Sequence, residues 1–194
     1  MEECIKKLNK IVAILTQAPV MAALLLVCIF LFFANPNKLF PFVVSLFSLS
    51  IVPAVVIPLW GRIKGTDYEI TNRKDRFVPY VLMLIVYAIC MSILFFIGES
   101  SVYFFVSVCY LIGTLVIFIV NNYTKISVHA SGSAMFSSIF ICVFGIVGII
   151  TIIIIPIVMW SRYYSKKHTV KQLLLGAFIG FSIPILLFVL FSIV

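Results

Sequence analysis

Charged residues are scarce in this sequence, and acidic ones are the scarcest. Only 10% of the 194 residues are Asp, Glu, Lys or Arg, six of them are acidic, and 64% of the chain is hydrophobic. A water-soluble domain of this size has too little interior to bury so much apolar surface. The five cysteines are scattered without metal-ligand spacing, so we expect small buried side chains there and no metal site.

Long apolar runs dominate the chain, and several exceed the roughly 18–20 residues that cross a hydrocarbon core. Backbone polar groups inside lipid must be satisfied within the segment, which favours helices. The sequence therefore predicts an all-α, polytopic transmembrane helix bundle of six to seven membrane helices, forming one integral membrane domain over residues 1–194. The apolar runs cover residues 11–34, 39–60, 77–97, 102–120, 133–160 and 170–194.

The run 133–160 is long for one span and short for two. A single helix would hold Gly145, Gly148 and Pro156 in its interior, where each is unfavourable. A short hairpin turning near Gly145–Gly148 would leave 13 of the 14 basic residues on the side of the N-terminus, with Lys38 alone opposite. Because basic loops remain cytoplasmic, the charge distribution favours the hairpin and predicts a cytoplasmic basic face. We interpret the net charge of +8 as this topology signal and not as a nucleic-acid footprint.

A short basic and aromatic segment, Trp160–Gln172, separates the last two apolar runs. It contains His168, one of only two histidines, six residues after Arg162. Histidine can act as a nucleophile towards phosphorus or as a general acid–base, because it titrates near neutral pH. The arginine fork matches phosphoryl oxygens. This spacing indicates phosphate chemistry at the mouth of a membrane helix.

Two other loops are predicted on the same face, so that three candidate catalytic loops meet there. The three loops cover about residues 61–79, 123–133 and 160–172. The only charged residue in the apolar runs is Lys171, at the very start of the last run, whereas proton-coupled carriers place ionisable groups at membrane depth. The sequence therefore favours an interfacial site that acts on a lipid headgroup.

Taken together, the three loops resemble the signature of the type 2 phosphatidic acid phosphatase superfamily, which uses no metal. That family has the motifs K-x6-R-P, P-S-G-H and S-R-x5-H-x3-D. The third motif here is Ser161-Arg162, five residues, His168, three residues and Gln172, so glutamine stands in place of the family's aspartate. The resemblance covers roughly residues 64–180.

The first two motifs depart further from the family pattern. Ser127–Gly132 keeps serine, histidine and glycine in another order, and Pro79 lies three residues after Arg76 instead of next to it. An H-T-x-x-Q ending together with a D-R-x-x-P start resembles a divergent prokaryotic branch of the superfamily. The resemblance then implies a prokaryotic plasma membrane as the location.

The resemblance also implies a role for each candidate residue, without a cofactor. His168 would be the nucleophile that becomes phosphorylated, His129 the acid for the leaving group, and Gln172 the residue that orients the imidazole. The groups that would bind the substrate phosphate are Arg162, Arg76, Lys74, Arg73 and the amides of Ser131 and Gly132. The expected partners are a lipid phosphate or isoprenoid phosphate substrate and membrane lipids.

Two alternatives remain open at this point. The protein could be a polyprenyl diphosphate phosphatase, or a non-catalytic lipid-binding or transport protein on the same scaffold. A second sequence feature concerns packing: Gly176 and Gly180 form a GxxxG pair, which permits close helix contact. His168, Gln172 and these glycines fall on one i, i+4 row, so the contact should bring His168 against a neighbouring helix.

Overall fold

The computed structural model describes residues 2–65, 70, 72–99 and 102–193. Within these ranges the chain forms helices joined by short turns and contains no strand, which confirms the all-α prediction. The α-helices are α1 Glu2–Leu15, α2 Ala18–Phe33, α3 Leu39–Leu46, α4 Val52–Lys64, α5 Phe77–Phe96, α6 Val102–Tyr123, α7 Val128–Phe144, α8 Ile154–Tyr164 and α9 Val170–Ile193. Shorter 3₁₀ segments cover Pro36–Lys38, Arg73–Arg76 and Gly145–Ile153, and a π-helical turn covers Phe47–Ile51. Residues 66–69 and 71 of the predicted first loop lie outside the described residues, as do residues 100–101.

Five helical stretches are long and apolar enough to cross a membrane, or up to six if α1 and α2 count as one bent span. The five stretches are Pro36–Lys64, Arg73–Phe96, Val102–Tyr123, Val128–Tyr164 and Val170–Phe191. Their outer faces carry large apolar side chains: Phe96, Ile146 and Ile150 are exposed by 84%, 83% and 76%. Apolar surface on this scale needs a cover, and a lipid bilayer provides one. The fold is thus consistent with an integral membrane protein.

The helices group into two compact units. Unit 1 comprises Met1–Met21 with Thr124–Val194, and unit 2 comprises Ala22–Tyr123. The buried apolar core of unit 1 includes Ala13, Ala130, Ala134, Met135, Phe136, Ile139, Val158, Leu173 and Ile179. That of unit 2 includes Leu25, Leu26, Ile29, Leu49, Met83, Cys90, Leu94, Val106 and Cys109. Cys90 and Cys109 are free thiols, as predicted for small buried side chains.

The predicted hairpin is present in unit 1, and it begins five residues earlier than expected, at Val128. The chain reverses at Gly145, whose backbone angles (φ 63°, ψ −138°) suit glycine and strain other residues. A Cβ at Gly148 would lie 2.6 Å from the Phe140 carbonyl oxygen, and the Ser137 hydroxyl donates to the Thr151 carbonyl at 2.9 Å. If Ser137 and Thr151 belonged to one straight helix, they would lie about 21 Å apart along its axis. The two arms therefore return to the same end.

Helices α7 and α9 pack closely along the predicted glycine pair. A Cβ at Gly176 would lie 2.7 Å from the Ser127 carbonyl oxygen, and one at Gly180 would overlap the Ser131 carbonyl. Further along, the Ser138 hydroxyl donates to the Phe181 carbonyl at 2.7 Å. The two helices consequently run in the same direction, with their first turns side by side, which confirms the packing role of the GxxxG pair.

The polar segment over residues 2–10, which includes Lys7 and Lys10, belongs to helix α1. Glu3 and Lys7 pair at 3.3 Å in the i, i+4 arrangement that supports a helix. The break comes later, at residues 16–17, where the chain bends by 58° between Lys7–Leu15 and Ala18–Phe33. Pro19 then occupies the first turn of α2, where its missing N–H is tolerated.

In unit 2 the short segment before α3 meets the segment that follows α5. Lys38 ends the Pro36–Lys38 segment, and Glu99 lies shortly after Phe96, the last residue of α5. Their side chains form an ion pair, with Nζ and Oε2 2.8 Å apart. The Glu99 side chain is 5% exposed and that of Lys38 is 36% exposed. Lys38, the one basic residue predicted on the face opposite the others, is therefore neutralised locally.

Candidate functional site

The start of α9 is a capping box built from Thr169 and Gln172. The Gln172 backbone N–H donates to the Thr169 hydroxyl at 3.4 Å, and the Gln172 side-chain oxygen accepts from the Thr169 backbone N–H at 3.3 Å. Two backbone donors at the helix end, which have no partner within the helix, are satisfied in this way. Gln172 therefore has a structural use that does not depend on chemistry.

The same glutamine oxygen also orients His168. His168 Nδ1 lies 3.2 Å from Gln172 Oε1. Because Oε1 accepts from the Thr169 N–H, it is the oxygen and not the amide nitrogen that faces the imidazole. Nδ1 must then carry the proton and donate, and in the neutral ring Nε2 keeps the lone pair. This is the tautomer that a histidine nucleophile at Nε2 requires.

A tight turn at the end of α8 leads into His168. The Lys167 N–H donates to the Arg162 carbonyl at 3.2 Å, and the Lys166 N–H donates to the Tyr163 carbonyl at 2.9 Å. These are the two bonds of a Schellman motif. Lys166 holds the left-handed position, with φ 54°, where glycine is the usual residue.

These turns frame an open groove of about 1010 Å³ in unit 1, which we call the basic groove. Its described lining residues are Lys125, Trp160, Tyr163, Tyr164, Lys166, Lys167, His168, Thr169, Val170 and Gln172. Lys125 closes one side, since its Nζ donates to the Lys167 carbonyl at 3.0 Å. The rings of Trp160 and Tyr164 stack with centroids 5.6 Å apart. A groove with three lysines, a histidine and aromatic rings suits an anionic headgroup at a membrane surface.

The second and third predicted loops are brought together within unit 1. The Ser127 N–H donates to the Gln172 carbonyl at 3.4 Å, which joins the starts of α7 and α9. His129 follows two residues later in the first turn of α7, and its Nε2 atom is buried. Arg162 is only 2% exposed. Among the described residues, neither His129 nor Arg162 lines the basic groove.

The expected phosphate contacts at Ser131 and Gly132 are not formed as loop amides, because both residues lie inside α7. The Ser131 N–H donates to the Ser127 carbonyl at 3.0 Å and is thus used within the helix. Gly132 faces Ala18, whose Cβ would be 3.1 Å from an added Cβ. The helix begins at Val128 because Ser127 caps it, with its hydroxyl accepting from the Ala130 N–H at 3.3 Å. These two positions serve packing.

The remaining candidates, Arg73, Lys74 and Arg76, belong to unit 2. Arg73 donates to the carbonyls of Asn121 and Asn122 at 3.4 and 3.2 Å, where it satisfies the last turn of α6. The Arg76 side chain is buried and its Nε donates to the Ile70 carbonyl at 2.7 Å. The Lys74 side chain is exposed. Both arginines therefore have structural partners inside their own unit.

The groove lysines were not singled out from the sequence as anion ligands. Lys125 and Lys167 are too far apart in the chain for spacing to relate them, and they meet only because α7 and α9 pack side by side. The capping box had a local signal, since T-x-x-Q before an apolar run is its usual pattern. Among the described residues no group of three His, Cys, Asp or Glu could hold a metal ion.

The fold class of this protein is inferred from its structure, because comparisons with known proteins do not provide it. No family model, curated protein or solved structure matches the chain. The helices and their exposed apolar faces define an all-α bundle with several helices able to span a membrane.

Proposed function

We propose that the protein is an integral membrane phosphatase that hydrolyses a lipid phosphomonoester or diphosphate headgroup through a phosphohistidine at His168. The observation that carries the proposal is the His168–Gln172 hydrogen bond on the wall of the basic groove. It selects the tautomer with the lone pair at Nε2, and the surrounding lysines attract an anion. In this proposal the groove faces the cytoplasm of a prokaryotic cell, in line with the positive-inside rule.

The proposed reaction has two displacements at phosphorus. His168 Nε2 attacks, a P–N bond forms, and the bond between phosphorus and the leaving oxygen breaks. That oxygen takes a proton from an acid, the role that the family resemblance assigns to His129. Water then attacks the phosphohistidine, releasing inorganic phosphate and restoring the imidazole. Lys125, Lys166 and Lys167 stabilise the charge on the phosphoryl oxygens.

The groove changes which residues we assign to phosphate binding. Lys166 is exposed and Lys167 is half-buried at the wall, whereas Arg162 is enclosed within unit 1. We therefore assign the first contact with the substrate phosphate to the groove lysines. We treat Arg162 as a buried charge that does not line the groove. Phosphate release should fall more in Lys166→Gln or Lys167→Gln than in Lys171→Gln, which removes an exposed charge from α9.

A purified preparation in lipid nanodiscs tests the proposal. Phospholipid and isoprenyl phosphates are offered with EDTA present, and inorganic phosphate is measured for the wild type and for His168→Ala. We expect release from at least one substrate in the wild type and none in His168→Ala. Activity that disappears with chelator, or that persists without His168, would contradict the mechanism. An acid-labile label on the wild type with a ³²P-substrate would identify the intermediate.

A second candidate function is headgroup binding without catalysis. Two observations favour it: the capping box accounts for Gln172 structurally, and His129 lies apart from the described groove lining. Saturable binding of an anionic lipid that depends on Lys166 and Lys167, with no phosphate release from any substrate, would select this function over the first.

A further inference from the structure

One face of helix α1 is hydrogen-bonded to the C-terminal end of α8 and the residue that follows it. Asn9 donates from Nδ2 to the Ser165 hydroxyl at 2.7 Å and accepts a hydrogen bond from the Ser161 hydroxyl. Ala13 and, directly after the last residue of α1, Thr16 continue the same face, and the side chains of Asn9, Ala13 and Thr16 are at most 9% exposed. The packed face of α1 is therefore small and polar, and it touches the residue that precedes Arg162.

The other faces of α1 point away from the protein. Leu8, Ile11 and Leu15 are 50%, 53% and 57% exposed and share one side of the helix. Lys7 and Lys10 are exposed beside them. The larger apolar residues of α1 are thus turned outward, while the buried face holds an asparagine, an alanine and a threonine. This is the reverse of a helix that folds onto a protein core.

The chain path joins this helix to an apolar helix on one side, and its hydrogen bonds join it to a basic segment on the other. One bend of 58° after Leu15 leads into α2, whose sixteen residues carry no charge. At its other contact, Asn9 meets Ser161 and Ser165 at the end of α8, just before the groove residues Lys166 and Lys167. At this contact α1 lies beside the point where the apolar helix α8 gives way to a basic segment.

We propose that α1 is a membrane-surface helix whose partner is an anionic lipid leaflet. Leu8, Ile11 and Leu15 insert into the boundary between headgroups and acyl chains, and Lys7 and Lys10 contact lipid phosphates. Helices of this kind carry large apolar residues on one face and lysines on another. The Asn9 bonds to Ser161 and Ser165 tie the lipid-bound helix to the segment that leads to the basic groove. The proposal does not depend on phosphatase activity.

A photo-crosslinking residue placed in the full-length chain tests the position of the helix. Benzoylphenylalanine replaces Leu8 or Ile11 in one pair of variants, and the exposed Glu3 in a matched control, in nanodiscs with an alkyne-tagged lipid. We expect strong lipid adducts from positions 8 and 11 and a several-fold weaker adduct from position 3. Equal adducts at positions 3 and 8 would overturn the proposal, and so would adducts to a second copy of the chain.

Hydrogen exchange of the α1 amides tests whether the lipid partner of this helix is anionic. Backbone amides of α1 should exchange several-fold more slowly in nanodiscs of phosphatidylglycerol with phosphatidylcholine than in phosphatidylcholine alone. The double variant Lys7→Gln, Lys10→Gln should lose that difference, while amides of α9 serve as the folding control. Equal exchange of wild-type α1 in the two lipids would overturn an anionic partner. Asn9→Ala should speed exchange in both lipids and leave the lipid adduct at position 8 in place.

Discussion

Gly180 in α9 lies against the carbonyl oxygen of Ser131 in α7, with no room for a methyl group between them. One turn earlier, Gly176 makes the same approach to the Ser127 carbonyl. These contacts set the distance between the two helices, and the starts of these helices hold the candidate site. The position of His168 therefore depends on glycines two and three turns away.

Replacing Gly180 by alanine should lower the free energy of unfolding by about 1–3 kcal/mol, because the backbones must move apart to admit a Cβ. Denaturant titration of the purified protein, followed by circular dichroism, measures the change. Leu174→Ala is the matched control, since Leu174 belongs to the same helix and is 55% exposed. A loss in the control as large as that in Gly180→Ala would contradict close packing as the cause.

Variants at Thr169 and Gln172 should separate capping from chemistry. Gln172→Leu removes the Thr169 N–H bond of the capping box and the hydrogen bond to His168, so we expect a loss of about 1 kcal/mol in stability together with a fall in phosphate release. Thr169→Val removes one capping bond and leaves the imidazole contact, so stability should fall more than activity does. Thr169→Ser keeps the hydroxyl and should behave as wild type. Parallel losses of activity and stability in Gln172→Leu and Thr169→Val would mean that capping is the only role of Gln172.

Lys166→Gly should raise the free energy of unfolding by about 1 kcal/mol, because glycine adopts φ near 54° without the clash of a Cβ. Lys166→Gln keeps the strain and removes the charge, so its stability should stay near that of wild type. Both variants should release phosphate more slowly if the lysine contacts substrate. A stabilised Lys166→Gly with full activity would remove Lys166 from the binding site.

The Lys38–Glu99 pair should show an asymmetric response to mutation. Lys38→Met leaves the Glu99 carboxylate buried without its cation, so we expect a loss of roughly 2–3 kcal/mol. Glu99→Gln should cost less, since Lys38 can reach solvent. The double variant should recover most of the loss, as a double-mutant cycle would show. Equal losses of stability in the two single variants, with a double variant that loses their sum, would contradict a coupled pair.

Hydropathy, the positions of glycine and proline, and charge were sufficient to predict the class of this fold. Uncharged runs of membrane length allow only helices, and the distribution of basic residues selected the hairpin that reverses at Gly145. The close α7–α9 contact also followed from the spacing of Gly176 and Gly180. Each of these inferences concerns a property that is local in the sequence or simply additive along it.

The composition of the candidate site was decided by tertiary packing. Spacing placed Arg162 six residues before His168, yet the fold encloses the arginine in unit 1 and lines the groove with Lys125 and Lys167, 42 residues apart. The exposure of a side chain depends on which helices pack around it. Spacing along the sequence does not indicate which helices these are. The same holds for α1. The sequence shows only its lysines, and the burial of Asn9 shows which face is held by the protein and which is exposed.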